Sequence, residues 1–132
     1  MKANPLVSIL MNSHNGEKFL NDSINSVINQ SYQNWELIFF DNYSNDNSFE
    51  LINKFNDNRI KYYKSSKFLT LGEARKAAQI YLRGDLIGIL DSDDIWLKDK
   101  LSNQIKYFDD KKVGLVFSAS KYFNSTKQIK VF

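Results

Sequence analysis

Cysteine is missing altogether. That excludes a disulfide framework, a thiolate metal site and a cysteine nucleophile. Proline occurs once and glycine five times, with no Pro/Gly-rich linker or repeat to divide the 132 residues. A chain of that length fits one domain able to bury a real core. No stretch approaches the roughly 18 apolar residues that span a bilayer. The start, MKANPLVSILMNSHNG, lacks the apolar h-region and cleavage site of a signal peptide. We therefore expect a soluble, cytoplasmic protein without a transmembrane segment. Asn-x-Ser/Thr triplets at Asn21, Asn29, Asn42 and Asn124 then reflect an asparagine-rich composition rather than glycosylation. Charge of one sign is also scarce. A net charge of +3 with scattered lysines argues against a nucleic-acid or anionic-membrane surface.

What is present is alternation. LVSILM (6–11), WELIFF (35–40), RIKYYK (59–64), DLIGIL (85–90) and VGLVFS (113–118) read as strands, the third one polar enough for a sheet edge. Between them run amphipathic stretches. From Glu17 to Gln30, Phe19, Leu20, Ile24, Val27 and Ile28 share a helical face. A second helix carries Phe49, Leu51, Ile52 and Phe55, and a later one Leu101, Ile105 and Phe108. Thr70 and Glu73 form a capping-box pattern opening a helix through Tyr81, with Gly84 placed as its C-cap. The end of the chain reads as a hairpin around Asn124 to Thr126. Strands alternating with helices predict an α/β fold with a doubly wound, mostly parallel sheet over residues 1–132. Ligands of such sheets bind beyond the strand carboxyl ends. Three polar turns occupy those ends: Asn12 to Gly16, Asp41 to Asp46 and Asp91 to Asp94.

GILDSDDIW (88–96) carries the chemistry. Asp91, Asp93 and Asp94 offer hard oxygen ligands of the kind Mg²⁺ and Mn²⁺ prefer, usually with substrate phosphates completing the shell. Period-two alternation would project Asp91 and Asp93 to one side. The bland alternative is a solvated acidic turn in which Asp94 or Ser92 caps the next helix. An EF-hand is excluded by the missing glycine and distal glutamate.

Together, PLVSILMNSHNGEKFLNDSINSVINQSYQNWELIFFDNYSND, LGEARKAA and GDLIGILDSDDIW resemble the nucleotide-binding half of a family 2 inverting glycosyltransferase with the GT-A fold. The resemblance runs from Pro5 to about Ser120. It implies a nucleotide-sugar donor, most often a UDP-sugar, bound through Asn12, His14, Asp41, Asn42, Arg75, Asp91 and Asp93. It implies Mn²⁺ or Mg²⁺ held by Asp93 and Asp94, and a saccharide or lipid-linked acceptor.

The chain departs from the family pattern at four positions. His14 stands where an aromatic residue usually faces the nucleobase, and its alternative is a lone surface histidine. Asn42 replaces the second aspartate of the commoner Asp-Asp, Tyr43 the usual glycine, and Lys76 the asparagine after the arginine. That loop's alternative is a helix-entry turn capped by Ser44 or Asp46. Enzymes of the resembled type run roughly twice this length. The chain is thus expected to be the N-terminal donor-binding part of a longer protein, with the general base outside it. Peripheral membrane association would belong to the full-length protein. A catalytically inactive nucleotide-binding or regulatory module on the same fold is the alternative. A receiver-like signalling domain ranks last, since RIKYYKSS ends without an acid.

Overall fold

A computed structural model describes residues 3–124 and 127–131. Four parallel strands, β1 (Val7–Ser13), β2 (Trp35–Asp41), β3 (Ile60–Lys64) and β4 (Leu86–Ile89), form a sheet in the order β3-β2-β1-β4. Four helices, α1 (Glu17–Ile28), α2 (Ser48–Lys54), α3 (Leu71–Ala78) and α4 (Lys100–Ile105), join or follow them. A hairpin of β5 (Lys121–Asn124) and β6 (Lys127–Val131) is a separate antiparallel pair. Its expected turn at residues 125 and 126 lies outside the described residues.

Strand alternation divides the core in two. Val7, Ile9 and Met11 of β1 and Trp35, Leu37 and Phe39 of β2 face Leu20, Ile24 and Val27 of α1 and Ile52 of α2. On the opposite face Leu10, Ile38 and Phe40 pack against Ala74 and Ala78 of α3. Small alanines let that helix sit close to the sheet. Covering both faces is what makes the middles of β1 (residues 9–11) and β2 (residues 37–40) continuously apolar. The strand order reverses between β1 and β4, so the crevice above those two strands is the switch point where such sheets bind ligands.

The capping box forms as expected. The Thr70 hydroxyl accepts the Glu73 N–H at 3.4 Å, and the Glu73 carboxylate accepts the Thr70 N–H at 2.9 Å.

Four expectations change. Gly84 caps no helix; a Cβ there would run into the Ser8 amide and the Leu6 carbonyl, so the glycine permits close approach to β1. VGLVFS forms no strand, and Leu115 and Phe117 are exposed. An apolar run creates the appetite for burial, but a strand also needs a partner edge for its backbone groups. Phe19 and Phe49 are each 46% exposed rather than inward. The inner face of α1 instead carries Ser23, Ser26 and, just past its end, Gln30. On β4, Ile87 and Ile89 point to the α3 side of the sheet beyond that helix's cover and stay exposed.

At the amino ends of β1 and β2 a buried carboxylate is fully paired. Glu36 accepts from the Ser8 hydroxyl at 2.6 Å, the Arg83 amide at 2.9 Å and the Arg83 guanidinium at 2.8 Å. Burial alone would push the Glu36 carboxyl up, but these bonds outweigh it and hold it below its ordinary value. A carboxyl lowered by folding stabilises the native state fully above its unfolded pKa, about 4.3, and loses that contribution as pH falls through the folded value. Glu36→Gln should therefore lower the denaturation midpoint at pH 7 and leave a smaller wild-type-to-mutant difference in acid, below about pH 4. Urea melts across that range check both.

Candidate functional site

The turn after β1 is tied to the turn after β2 by a series of hydrogen bonds. His14 Nδ1 lies 2.9 Å from the Asn42 carbonyl, and the Asn15 amide donates to Ser44 Oγ at 2.9 Å. The Asn45 amide returns a bond to Asn15 Oδ1 at 2.9 Å. Asp46 accepts the Glu17 N–H at 2.9 Å, supplying from across the site the cap that Gly16 cannot give α1. It also accepts the Ser48 N–H at 3.1 Å, so the helix-entry role weighed for this turn is present as well.

Beneath both turns lies Asp41, with no exposed surface. Its carboxylate accepts the Ser44 N–H at 2.7 Å and the Tyr62 hydroxyl at 2.5 Å, and Lys64 Nζ stands 3.5 Å away. Burial and this bond both push the Tyr62 hydroxyl pKa up, so it remains a donor. Asp41 thus holds the loop from below. Asn42 reaches sideways. Its amide donates to the Leu69 carbonyl at 2.8 Å, and its side-chain oxygen accepts the Leu69 N–H at 2.9 Å. The segment before α3 is pinned there as well.

Tyr43 has φ +65° and Asn15 φ +54°, both in the left-handed region. Asparagine tolerates that region; a tyrosine there is strained and needs its surroundings to hold it.

The acidic turn closes the other side. β4 ends at Ile89, and the Asp94 amide bonds the Asp91 carbonyl at 3.0 Å, making residues 91–94 a β-turn. The period-two projection of Asp91 and Asp93 is therefore corrected, because the strand has already ended. GILDSDDIW is folded back on itself: a Cβ on Gly88 would stand 2.8 Å from the Trp96 ring. The Trp96 amide donates to Ser26 Oγ at 3.1 Å, and Gln30 bonds the Leu97 carbonyl at 2.9 Å and the Leu101 amide at 3.1 Å. Ser23 Oγ donates to the Asp91 carbonyl at 3.4 Å. Sequence reasoning missed this polar stripe on α1. Its signal was there, in small or polar residues at 23, 26 and 30, spaced three and four apart like the apolar set beside them.

Arg75 projects from α3 to Asp91, Nη2 to carboxylate 2.9 Å, while its Nε is buried without a protein partner. Asn12 likewise has both amide atoms buried and unpaired. Gly16 brings the first turn against the acidic one, since its Cβ would lie 3.3 Å from Ser92 Oγ. Asn12, His14, Asn42 and Asp91 thus lie at or beyond the carboxyl ends of β1, β2 and β4, with Arg75 reaching them from α3 and Asp41 buried beneath the β2 loop. Asp93 and Asp94 sit on the exposed rim of the turn.

Burial first, then the charges of Asp93 and Asp91, push the Asp94 carboxyl up. A cation at that turn would relieve this crowding. Among the described residues no three His, Asp or Glu side chains group closely enough to enclose a metal. The donor set fits a partial shell, all oxygen, of the sort a bound phosphate group completes.

A doubly wound α/β domain with its loops gathered over the switch point is the class this architecture defines. The chain belongs to glycosyl transferase family 2, whose model matches residues 8–131. It is 36% identical over 127 residues to UDP-Glc:alpha-D-GlcNAc-diphosphoundecaprenol beta-1,3-glucosyltransferase WfgD of Escherichia coli, covering 96% of this chain and 50% of that one. WfaP, an enzyme of the same description from Escherichia coli, is 36% identical over 118 residues, 89% of this chain and 46% of that protein. The chain thus spans about half the length of these curated relatives.

Two solved structures share the fold. S. aureus TarS 1-349 in complex with UDP-GlcNAc superposes with a TM-score of 0.75 at 23% identity, covering 79% of this chain and 31% of TarS. The mannosyltransferase PcManGT from Pyrobaculum calidifontis, in complex with GDP-Man and Mn2+, gives 0.80 at 20% identity, over 86% of this chain and 35% of that one. The expected GT-A architecture is borne out. No helix among the described residues is long and apolar enough to cross a membrane.

Substitutions at two positions test how the loops are held. Tyr62→Phe leaves one Asp41 oxygen without its donor and should cost about 2 kcal/mol, the usual worth of a hydrogen bond to a charged group. Tyr43→Gly should be more stable than wild type by roughly 0.5–1 kcal/mol, since relief of the left-handed strain exceeds glycine's entropic cost. Tyr43→Val should be less stable. Chemical denaturation of the three variants gives the order.

Proposed function

We propose that the chain is the donor-binding part of a metal-dependent, inverting glycosyltransferase that takes a nucleotide-diphosphate sugar, a UDP-sugar in particular. One observation carries the reading: Arg75 and Asp91 meet at the switch point in the acidic turn, and the Asn12 amide and Arg75 Nε are buried there without protein partners. The donors named for the relatives support it, UDP-Glc for WfgD and UDP-GlcNAc in the TarS complex. So does the Mn2+ of the PcManGT complex.

In this reading Asp93 and Asp94 hold Mn²⁺ or Mg²⁺ on the donor diphosphate, and the metal when bound stabilises the charge that develops on the leaving diphosphate. Arg75 turns from Asp91 towards the phosphates. Its guanidinium is permanently charged and can serve either oxygen set. Asn12 and Asp91 hold the nucleoside side of the donor, and Asp41 keeps the loop of Asn42, and through it His14, in place. An inverting transfer also needs a base to take the acceptor hydroxyl proton. We assign that base, and most of the acceptor site, to the part of the relatives' length that this chain does not span. The GlcNAc-diphosphoundecaprenol in WfgD's name supports a saccharide or lipid-linked acceptor. A cytoplasmic site of action, with peripheral membrane association of the longer protein, belongs to the same proposal.

Calorimetric titration with UDP, with and without Mn²⁺, tests it. UDP should bind at least tenfold more tightly with Mn²⁺, and Asp93→Ala or Asp94→Ala should abolish that difference; one lost metal-mediated contact is worth well over the roughly 1.4 kcal/mol that tenfold represents. UDP binding unchanged by chelator and by both substitutions would sink the metal role.

A further inference from the structure

Residues 91–99 form neither strand nor helix, so their backbone groups need partners from elsewhere. Much of that supply comes from one stripe of α1. Ser23 Oγ donates to the Asp91 carbonyl at 3.4 Å, and Ser26 Oγ accepts the Trp96 amide at 3.1 Å. Gln30, just past the helix and 1% exposed, donates to the Leu97 carbonyl at 2.9 Å and accepts the Leu101 amide at 3.1 Å. The stripe therefore grips the chain on both sides of Asp93 and Asp94. A primary amide offers donor and acceptor together, as a peptide unit does. Gln30 thus stands in for the neighbouring strand that this segment lacks. Its oxygen also serves the start of α4, where the Asp99 N-cap makes no side-chain bond.

The stripe is itself locked. Gln30 Nε2 donates to the Ser26 carbonyl at 3.0 Å, and the Ser26 hydroxyl donates to the Ser23 carbonyl at 2.6 Å. With its proton committed there, Ser26 Oγ can only accept, which suits the Trp96 amide. Leu20, Ile24 and Val27 already give α1 a fully buried apolar face, so packing alone does not ask for these polar groups. A satisfied polar network specifies one arrangement where apolar contacts tolerate several. One arrangement is what a metal site requires, since its ligands must be kept within about 0.5 Å of the productive geometry. Asp91 is held through its carboxylate by Arg75. Asp93 and Asp94, on the exposed rim, take their place from the backbone on either side.

We propose that Ser26 and Gln30 are positioning residues for the metal-bearing turn, acting on Asp93 and Asp94 through the backbone of Trp96, Leu97 and Leu101. The inference rests on the donor-site reading above. Their loss lowers the share of UDP affinity that the metal contributes and spares the rest.

Calorimetric titration of the full chain with UDP, in Mn²⁺ and again in chelator, gives the metal-dependent gain as a ratio of affinities. Gln30→Met keeps the length and bulk of the side chain and removes its hydrogen bonds. It should cut the gain about fivefold, the worth of one net hydrogen bond, and leave affinity in chelator within about twofold of wild type. Ser26→Ala, a substitution that favours helix, should cut the gain about threefold. Free Mn²⁺ in the presence of UDP, counted by its electron paramagnetic resonance signal, should rise in both variants. Ile24→Val opens a cavity on the same helix and should lower the urea midpoint without changing the gain.

A wild-type gain in Gln30→Met would overturn the positioning role and leave the donor site standing. Should that variant not fold, a wild-type gain in Ser26→Ala would do the same. Equal weakening in Mn²⁺ and in chelator would show support of the whole site and overturn the link to the metal. A matching loss of gain in Ile24→Val would trace the effect to destabilisation alone and overturn it as well. No gain from Mn²⁺ in the wild-type chain would overturn the metal reading itself, and this inference with it.

Discussion

A carboxylate with no access to water must be paired on every side, and Asp41 is such a group. Its partners come from two places: the Ser44 amide from its own loop, and Tyr62 and Lys64 from β3. The pairing fixes where the chain leaves β2. From there the constraint spreads outward, since the Asn42 backbone receives His14, its side chain holds Leu69, and Ser44 receives Asn15. Three segments that carry candidate ligand groups are thus registered against one buried charge. The strained φ of Tyr43 is tolerable for the same reason, being held between two anchored neighbours.

The acidic turn is held differently. Its backbone is anchored from α1 by Ser23 and Ser26, and Trp96 lies on Gly88. Its side chains are left comparatively free. Arg75 and Asp91 are in contact, but a third of the arginine side chain and over half of the aspartate are exposed. An ion pair that wet contributes at most about 1 kcal/mol. A pair of that strength holds the guanidinium beside the acidic turn and leaves it free to exchange partners. Rigid backbone with exchangeable charge is what an anion-and-metal site needs, because binding then costs little reorganisation.

Much of this was legible in the sequence, and the limits have physical causes. Alternating strands and helices made the sheet readable because β1 and β2 are buried on both faces and so carry apolar runs at their centres, residues 9–11 and 37–40. The Thr70–Glu73 capping box was readable because it is wholly local. Gly84 and Gly88 were not, since what each accommodates, the β1 backbone and the Trp96 ring, is distant in sequence or folds back by a turn. VGLVFS shows the same limit from the other side: hydrophobic pattern reports a wish for burial, and pairing depends on an edge that pattern cannot see. The Ser23, Ser26 and Gln30 stripe was hidden because a buried polar face looks like a solvent face until its partners are known. Of the site residues, type and order were readable, and their division into buried support and exposed rim was not. Asp41 and Asp91 look alike in sequence and differ entirely in exposure.

The two ends of the sheet make the last contrast. At the amino ends, Glu36 is a buried charge satisfied wholly from within, by Ser8 and Arg83. At the carboxyl ends, Asn12, Ser13, Ser65 and Arg75 each bury a polar atom with no protein partner. Trp35, Ser48 at the start of α2 and Gln104 show that such atoms occur elsewhere as well. Leaving a buried donor or acceptor unpaired costs about 1–3 kcal/mol, so a cluster of them is retained against a stability gradient. The same chain that spends four hydrogen bonds on Glu36 could have paired Asn12. A fold that satisfies its polar groups at one end and withholds partners at the other has placed its unmet hydrogen bonds where a polar ligand would supply them.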